Sequence, residues 1–285
     1  NDLTEKQLVD ANSRVTLVDD GSRDKTWEVI CALNAEDKRF EGVKLAHNAG
    51  HMNALWAGMR MVCDACDALV TIDADLQDDV NAIYGFLEKY REGCDVVYGV
   101  RKDRSTDTAF KRTTAQGFYK LMKRLGVEMV YNAADYRLLS RRAVEALLQF
   151  GEVNMFLRGM VPLLGFKTAE VYYERGERVA GESKYPLRKM VAFAIEGITS
   201  FSNKPIRFVT LLGFLFALLG VAMAVYVLVT LFAGHSVAGW ASTIMSIWLL
   251  GGIQLIALGL IGEYVGKIYM ETKRRPKFIL EEYRK

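Results

Sequence analysis

Between Phe208 and Gly262 the chain carries no Asp, Glu, Lys or Arg. The segment Gly234-His-Ser-Val-Ala-Gly239 divides this span into two apolar runs, Phe208–Ala233 and Trp240–Gly262. Each exceeds the roughly 20 residues that cross a bilayer as a helix. Helices apolar on every side need lipid around them, which disfavours the alternative of two helices buried in a soluble core. Lys204 and Arg207 precede the first run, and Lys267, Lys273, Arg274, Arg275 and Lys277 follow the second. The loop between them has no Lys or Arg, so both ends of the chain are expected at the cytoplasmic face. A net charge of +3 over 285 residues is mild. The basic segment 271–285 therefore reads as a tail on anionic headgroups, and no nucleic-acid partner is expected.

Ahead of the spans, strand and helix patterns alternate. Strands are expected at Arg14–Val18, Gly42–Ala46, Ala68–Ile72 and Asp95–Val100, and helices at Asp24–Leu33, Asn53–Val62 and Val80–Arg91. Such alternation implies βαβ units, an α/β class and a mostly parallel sheet with helices on both faces. Ligands of these sheets bind at the carboxyl ends of strands. Two acidic clusters, Asp19-Asp20 and Asp73–Asp79, fall there. Between the sheet and the spans, Leu187, Met190, Val191, Ala194, Ile195, Ile198 and Phe201 recur at helical spacing. They predict an amphipathic helix at 186–206, lying on the membrane face or packed on the sheet. Cys63-Asp-Ala-Cys66 lacks the second ligand pair of a zinc site, so reduced structural cysteines are expected.

The run Asp73-Ala-Asp-Leu-Gln-Asp-Asp79 packs four carboxylates behind a buried strand. Three readings are open. Hard divalent cations take carboxylate oxygens and bridge them to substrate phosphates. Aspartyl nucleophiles also follow strands, although Gln77 stands where those sites carry Thr or Val. Asp78 or Asp79 could cap the helix that begins near Val80. Arg101, Lys102 and Arg104 follow another strand, and planar guanidinium groups suit phosphate.

The motifs Val18-Asp-Asp-Gly-Ser-Arg-Asp-Lys-Thr26, Asn48-Ala-Gly-His-Met-Asn-Ala-Leu55 and Asp73-Ala-Asp-Leu-Gln77 occur in that order. Val96-Val-Tyr-Gly-Val-Arg101, Asp135-Tyr-Arg-Leu-Leu-Ser-Arg141 and Arg178-Val-Ala-Gly-Glu-Ser-Lys-Tyr185 follow. Together they resemble glycosyltransferase family 2, in its polyprenyl-phosphate glycosyltransferase branch. The resemblance implies a GT-A catalytic domain over 1–185, a juxtamembrane helix at 186–206, two spans within 207–270 and a cytoplasmic tail. It also implies inverting transfer of one sugar from a nucleotide-sugar, a UDP-sugar being favoured, to polyprenyl phosphate at the bacterial plasma membrane. Asp73, Asp75 and Gln77 would bind Mg²⁺ or Mn²⁺ and the donor. Asp20, helped by Asp19, would meet the nucleotide base or ribose, with Asn48 and His51 nearby. Arg101, Arg158, Arg178, Ser183 and Lys184 would bind phosphates. Asp135 is the resemblance's candidate base, with Arg137 beside it. A polyprenyl phosphate ionises a second time near pH 6, so its oxygen needs little proton abstraction. Asp135 is thus expected mainly to orient the acceptor or Arg137. A homo-oligomer, such as a tetramer, is expected too. The family's opening strand, ending in a Pro-x-Tyr-Asn-Glu type motif, has no match, so a leading segment is expected ahead of Asn1. A processive polysaccharide synthase would carry Gln-x-x-Arg-Trp and more spans, and neither is present. A non-catalytic membrane scaffold is the other alternative.

Overall fold

The computed structural model describes residues 2–75, 77–102, 130, 132–153, 155–174, 176, 204–233 and 239–285. After a short turn of helix, α1 (Asp2–Glu5), the chain alternates as its periodicity predicts. β1 (Val15–Asp19), α2 (Thr26–Glu36), β2 (Phe40–Leu45) and α3 (His51–Val62) come first. β3 (Ala68–Thr71), α4 (Ala82–Arg91) and β4 (Val96–Arg101) follow. Next are β5 (Ala133–Ser140), α5 (Arg141–Leu148), α6 (Leu157–Leu163) and β6 (Thr168–Tyr173). Two long helices, α7 (Lys204–Phe232) and α8 (Trp240–Thr272), precede a last strand, β7 (Leu280–Arg284).

The α/β class stands, but the sheets are mixed. One is ordered β1-β2-β7 and the other β3-β5-β4-β6. β1 with β2 and β4 with β6 are parallel, whereas β2–β7, β3–β5 and β4–β5 are antiparallel. Alternation of strand and helix predicts parallel pairing only where a helical crossover joins the strands. β5 enters from the opposite direction and separates β3 from β4.

β5 is buried along its whole length. Its Ala134, Tyr136 and Leu138 join Phe86, Val97 and Tyr173 in a core cluster against α4. Asp135, Arg137 and Leu139 line the opposite face with Leu55, Met59, Leu157 and Val161. Successive side chains of a strand point to opposite faces, so two buried charges share a face without disturbing the apolar core. Ser140 ends the strand and caps α5, its Oγ accepting from the Ala143 amide at 3.2 Å.

The segment 271–285, expected to lie on headgroups as a tail, carries β7 instead. Val43 pairs with Tyr283, and the Tyr283 hydroxyl donates to Glu41 Oε2 at 2.8 Å. Lys277 Nζ donates to the Phe150 carbonyl at 2.9 Å and lies 3.8 Å over the Trp56 ring. The chain accordingly divides into one compact unit of Asn1–Met190 with Arg274–Lys285 and another of Val191–Lys273. α7 and α8 are long and apolar enough to cross a membrane. The amphipathic helix expected at 186–206 lies outside the described residues up to 203.

Candidate active site

The antiparallel β3–β5 ladder gathers the first cluster. Thr71 pairs with Arg137, and continuing that register by two residues brings Asp73 opposite Asp135. His51, the first residue of α3, reaches both: its Nε2 lies 3.7 Å from Asp73 Oδ1 and 3.7 Å from Asp135 Oδ2. Asp135 is held from two further sides. Arg137 donates to its Oδ1 at 2.8 Å, and Arg158 donates to Oδ1 at 3.2 Å and to Oδ2 at 2.9 Å. Burial works to raise the Asp135 pKa, but bonding to His51 and the guanidinium charges win and hold it well below the carboxylate range. Asp135 is therefore an anion throughout the physiological range, with both oxygens engaged by cations. Arg137 is buried and also donates to the Leu157 and Ala134 carbonyls. Bonding to Asp135 raises the His51 pKa against the opposing effect of burial, and the Asp73 charge adds to the rise.

Asp73 is the counterweight. Burial pushes its carboxyl pKa up, His51 lowers it, and Asp135, Asp78 and Asp75 repel it further. An added cation would relieve that repulsion. Asp75 Oδ1 accepts from the Gln77 amide at 3.1 Å and fixes the turn. Among the described residues no set of three or more His, Cys, Asp and Glu side chains forms a ready-made metal cage. Two carboxylates on a turn nonetheless fit Mg²⁺ or Mn²⁺, because Mg²⁺ keeps waters and takes one or two carboxylates plus substrate phosphates.

The two aspartates at the end of β1, Asp19 within the strand and Asp20 just after it, bond differently. Asp20 accepts from the Ala49 amide at 2.7 Å and the Gly50 amide at 3.0 Å, fastening the entry to α3. Gly21 makes this possible. Its φ is +65°, and a Cβ there would stand 2.5 Å from the His47 carbonyl carbon. Both Asp20 oxygens are thus engaged by backbone, and Asp19 Oδ1 accepts from the Ser22 amide at 2.9 Å. Asp19 Oδ2 is buried and has no hydrogen-bond partner among the described residues. Asn48 is exposed beside the same turn.

Asp78 and Asp79 also separate. Asp79 Oδ1 accepts from the Asn81 amide and side chain, both at 2.9 Å, and so organises the entry to α4. Asp78, for which a cap was equally expected, is buried instead. Its Oδ1 accepts from the Tyr173 hydroxyl at 2.6 Å and lies 3.5 Å from Arg101. The β4–β6 ladder pairs Arg101 directly with Tyr173. Arg178, Ser183 and Lys184 lie outside the described residues. Sequence reading placed His51 near the nucleotide without its bridging role between two aspartates, and passed over Tyr173. Both contacts come from the meeting of segments far apart in sequence, which no local motif records.

The glycosyl transferase family 2 profile matches residues 5–148, and the GtrB C-terminal hairpin profile matches 204–268. The chain belongs to glycosyl transferase family 2. It is 52% identical over 281 residues to the uncharacterized glycosyltransferase YkoT of Bacillus subtilis, covering 99% of this chain and 83% of that one. Identity to a prophage bactoprenol glucosyl transferase homolog of Escherichia coli is 38% over 98% of this chain and 92% of the relative. To the bactoprenol glucosyl transferase of Shigella phage SfV it is 40%, over 94% and 87% respectively.

Proposed function

We propose that this glycosyltransferase moves a single sugar from a nucleotide-sugar, a UDP-sugar, to a polyprenyl phosphate at the cytoplasmic face of the membrane, with inversion at the anomeric carbon. The observation that carries the reading is the clamp of Arg137 and Arg158 on Asp135 beside the acidic turn at Asp73. An anionic acceptor and an anionic leaving group both need cationic surroundings, and the clamp presents arginine next to the turn suited to a metal–diphosphate. Mg²⁺ or Mn²⁺ held by Asp73 and Asp75, with Gln77 close by, would neutralise the departing diphosphate. Asp19 would accept an N–H from the base.

Asp135 holds Arg158 in place and takes no proton, because the phosphate oxygen is already ionised near neutral pH. Arg158 orients that oxygen for in-line attack. Fixing the geometry in advance supplies much of the catalysis, since a positioned nucleophile removes the entropy cost of encounter. Relatives named bactoprenol glucosyl transferases support a polyprenyl acceptor, and the two apolar helices support anchoring beside a lipid that cannot leave the bilayer.

The test uses the full chain in nanodiscs containing undecaprenyl phosphate, with a panel of radiolabelled UDP- and GDP-sugars. Label from one UDP-sugar should appear in the extracted lipid, stop with EDTA and resume with Mg²⁺ or Mn²⁺. Nucleotide binding with no label transferred from any sugar would overturn the reading.

A further inference from the structure

We propose that Lys277 is a positioning residue for the transfer reaction: it locks α3 to the connection between α5 and α6, and so sets how His51 and Arg158 close on Asp135. The inference rests on the role given to Arg158 above. Lys277 follows α8 in the chain, yet its Nζ donates to the Phe150 carbonyl at 2.9 Å and stands 3.8 Å over the Trp56 ring. A cation over an indole face is attracted by the ring quadrupole, the more so where water is excluded. Trp56 is 2% exposed in the middle of α3, and Phe150 opens the connection from α5 to α6. One ammonium therefore joins two elements that are far apart in sequence.

Each of those elements delivers a side chain to the same carboxylate. α3 begins at His51, whose Nε2 lies 3.7 Å from Asp135 Oδ2, and α6 carries Arg158, which donates to both Asp135 oxygens. Arg137 grips the start of α6 through the Leu157 carbonyl at 3.4 Å. Lys277 grips the connection that leads into it, and holds it to α3. β7 has attachments of its own. They are its ladder with β2, the packing of Phe278 and Tyr283 on the cluster of Val43, Leu45, Ala54 and Ala57, and the Ala46 amide donating to the Ile279 carbonyl at 2.9 Å. Neither Trp56 nor Phe150 belongs to that set, so a lysine that only anchored the strand would have no use for them. In-line attack tolerates little misplacement of the group that orients the nucleophile, so the spacing of α3 and α6 around Asp135 bears on turnover.

The experiment uses the full chain in nanodiscs. It compares Lys277→Met, which keeps the stem but loses the charge and the donor, with Lys277→Arg, which keeps both. Tyr283→Phe is the control, because it weakens β7 at Glu41 instead. Hydrogen exchange, read by mass spectrometry, needs no turnover. In Lys277→Met, peptides covering 50–56 and 155–163 should exchange about tenfold faster, as local opening becomes easier. They hold the first turns of α3 and α6, where the Ala54 amide donates to the Gly50 carbonyl and the Gly159 amide to the Phe156 carbonyl. Exchange across 40–45 should not change. With the UDP-sugar that the wild type uses, the KM for undecaprenyl phosphate should rise about fivefold and the donor KM stay within about twofold. Lys277→Arg should bring both readouts back to within about twofold of the wild type, and Tyr283→Phe should leave the acceptor KM unchanged. Adding Lys277→Met to Arg158→Ala should raise the acceptor KM no further, because a positioning residue has no work once its target is gone. Unchanged exchange, a rise that includes 40–45 equally, the same loss in Tyr283→Phe, or additive losses would overturn the inference. Exchange is measured whether or not any sugar is transferred, so failure of this inference and failure of the proposed reaction are told apart.

Discussion

Asp135 concentrates the argument at the scale of single residues. Two guanidinium groups and His51 surround its carboxylate, so replacing it strands a buried guanidinium. Asp135→Asn should lose about 3 kcal/mol of stability at pH 7, because breaking a buried pair leaves an uncompensated charge. The sign with pH follows from the depressed pKa of the folded state. The contribution is complete above the unfolded value near 4 and fades as pH falls through the lower folded value. The gap between wild type and variant, measured by urea unfolding, should hold from pH 7 to about 5 and close only below about pH 4. In turnover, the variant should keep an ionisation near pH 6, since that belongs to the acceptor phosphate and not to the enzyme. Loss of that ionisation would restore Asp135 as the base.

At the scale of elements, β7 is the strand that changes how the chain is read. The two long helices separate it from the rest of the catalytic unit, yet it pairs with β2 and its Tyr283 packs on the cluster of Val43, Leu45, Ala54 and Ala57. Tyr283→Phe should cost about 1 kcal/mol for the lost bond to Glu41. Tyr283→Ala should cost about 3 kcal/mol, because the ring contact goes as well. Thermal unfolding of the two variants distinguishes packing from hydrogen bonding. Nothing in Leu280-Glu-Glu-Tyr-Arg284 announces a strand, since half-exposed residues beside charged ones resemble any polar tail. β5 was equally illegible, for the opposite reason. Buried on both faces, it shows no alternation of apolar and polar residues, and its Asp and Arg are satisfied by partners far away in sequence. The first four strands and their helices were legible because each has a simple amphipathic or apolar period bounded by turn residues.

For the whole molecule, β7 also constrains topology. β2 precedes both long helices and β7 follows them, yet the two strands share a sheet. If both helices cross a membrane, β2 and β7 lie on the same side of it. The basic flanks predict the cytoplasmic side, as the proposed function requires. A protease site inserted within 234–239 should be cut from outside intact cells, whereas one appended after Lys285 should be cut only in inverted vesicles. Cleavage of both from the same side would contradict the crossing. The sequence by itself determined the class of fold, the two apolar spans and the identity of the acidic and basic motifs, because each is carried by local period or contiguous chemistry. The tertiary structure alone decided which groups each carboxylate meets. Asp19 against Asp20, Asp78 against Asp79, and Asp135 as clamp are told apart by burial and by partners from other strands. Two neighbouring aspartates are chemically identical until a fold gives one a backbone amide and the other a buried hydroxyl beside a guanidinium.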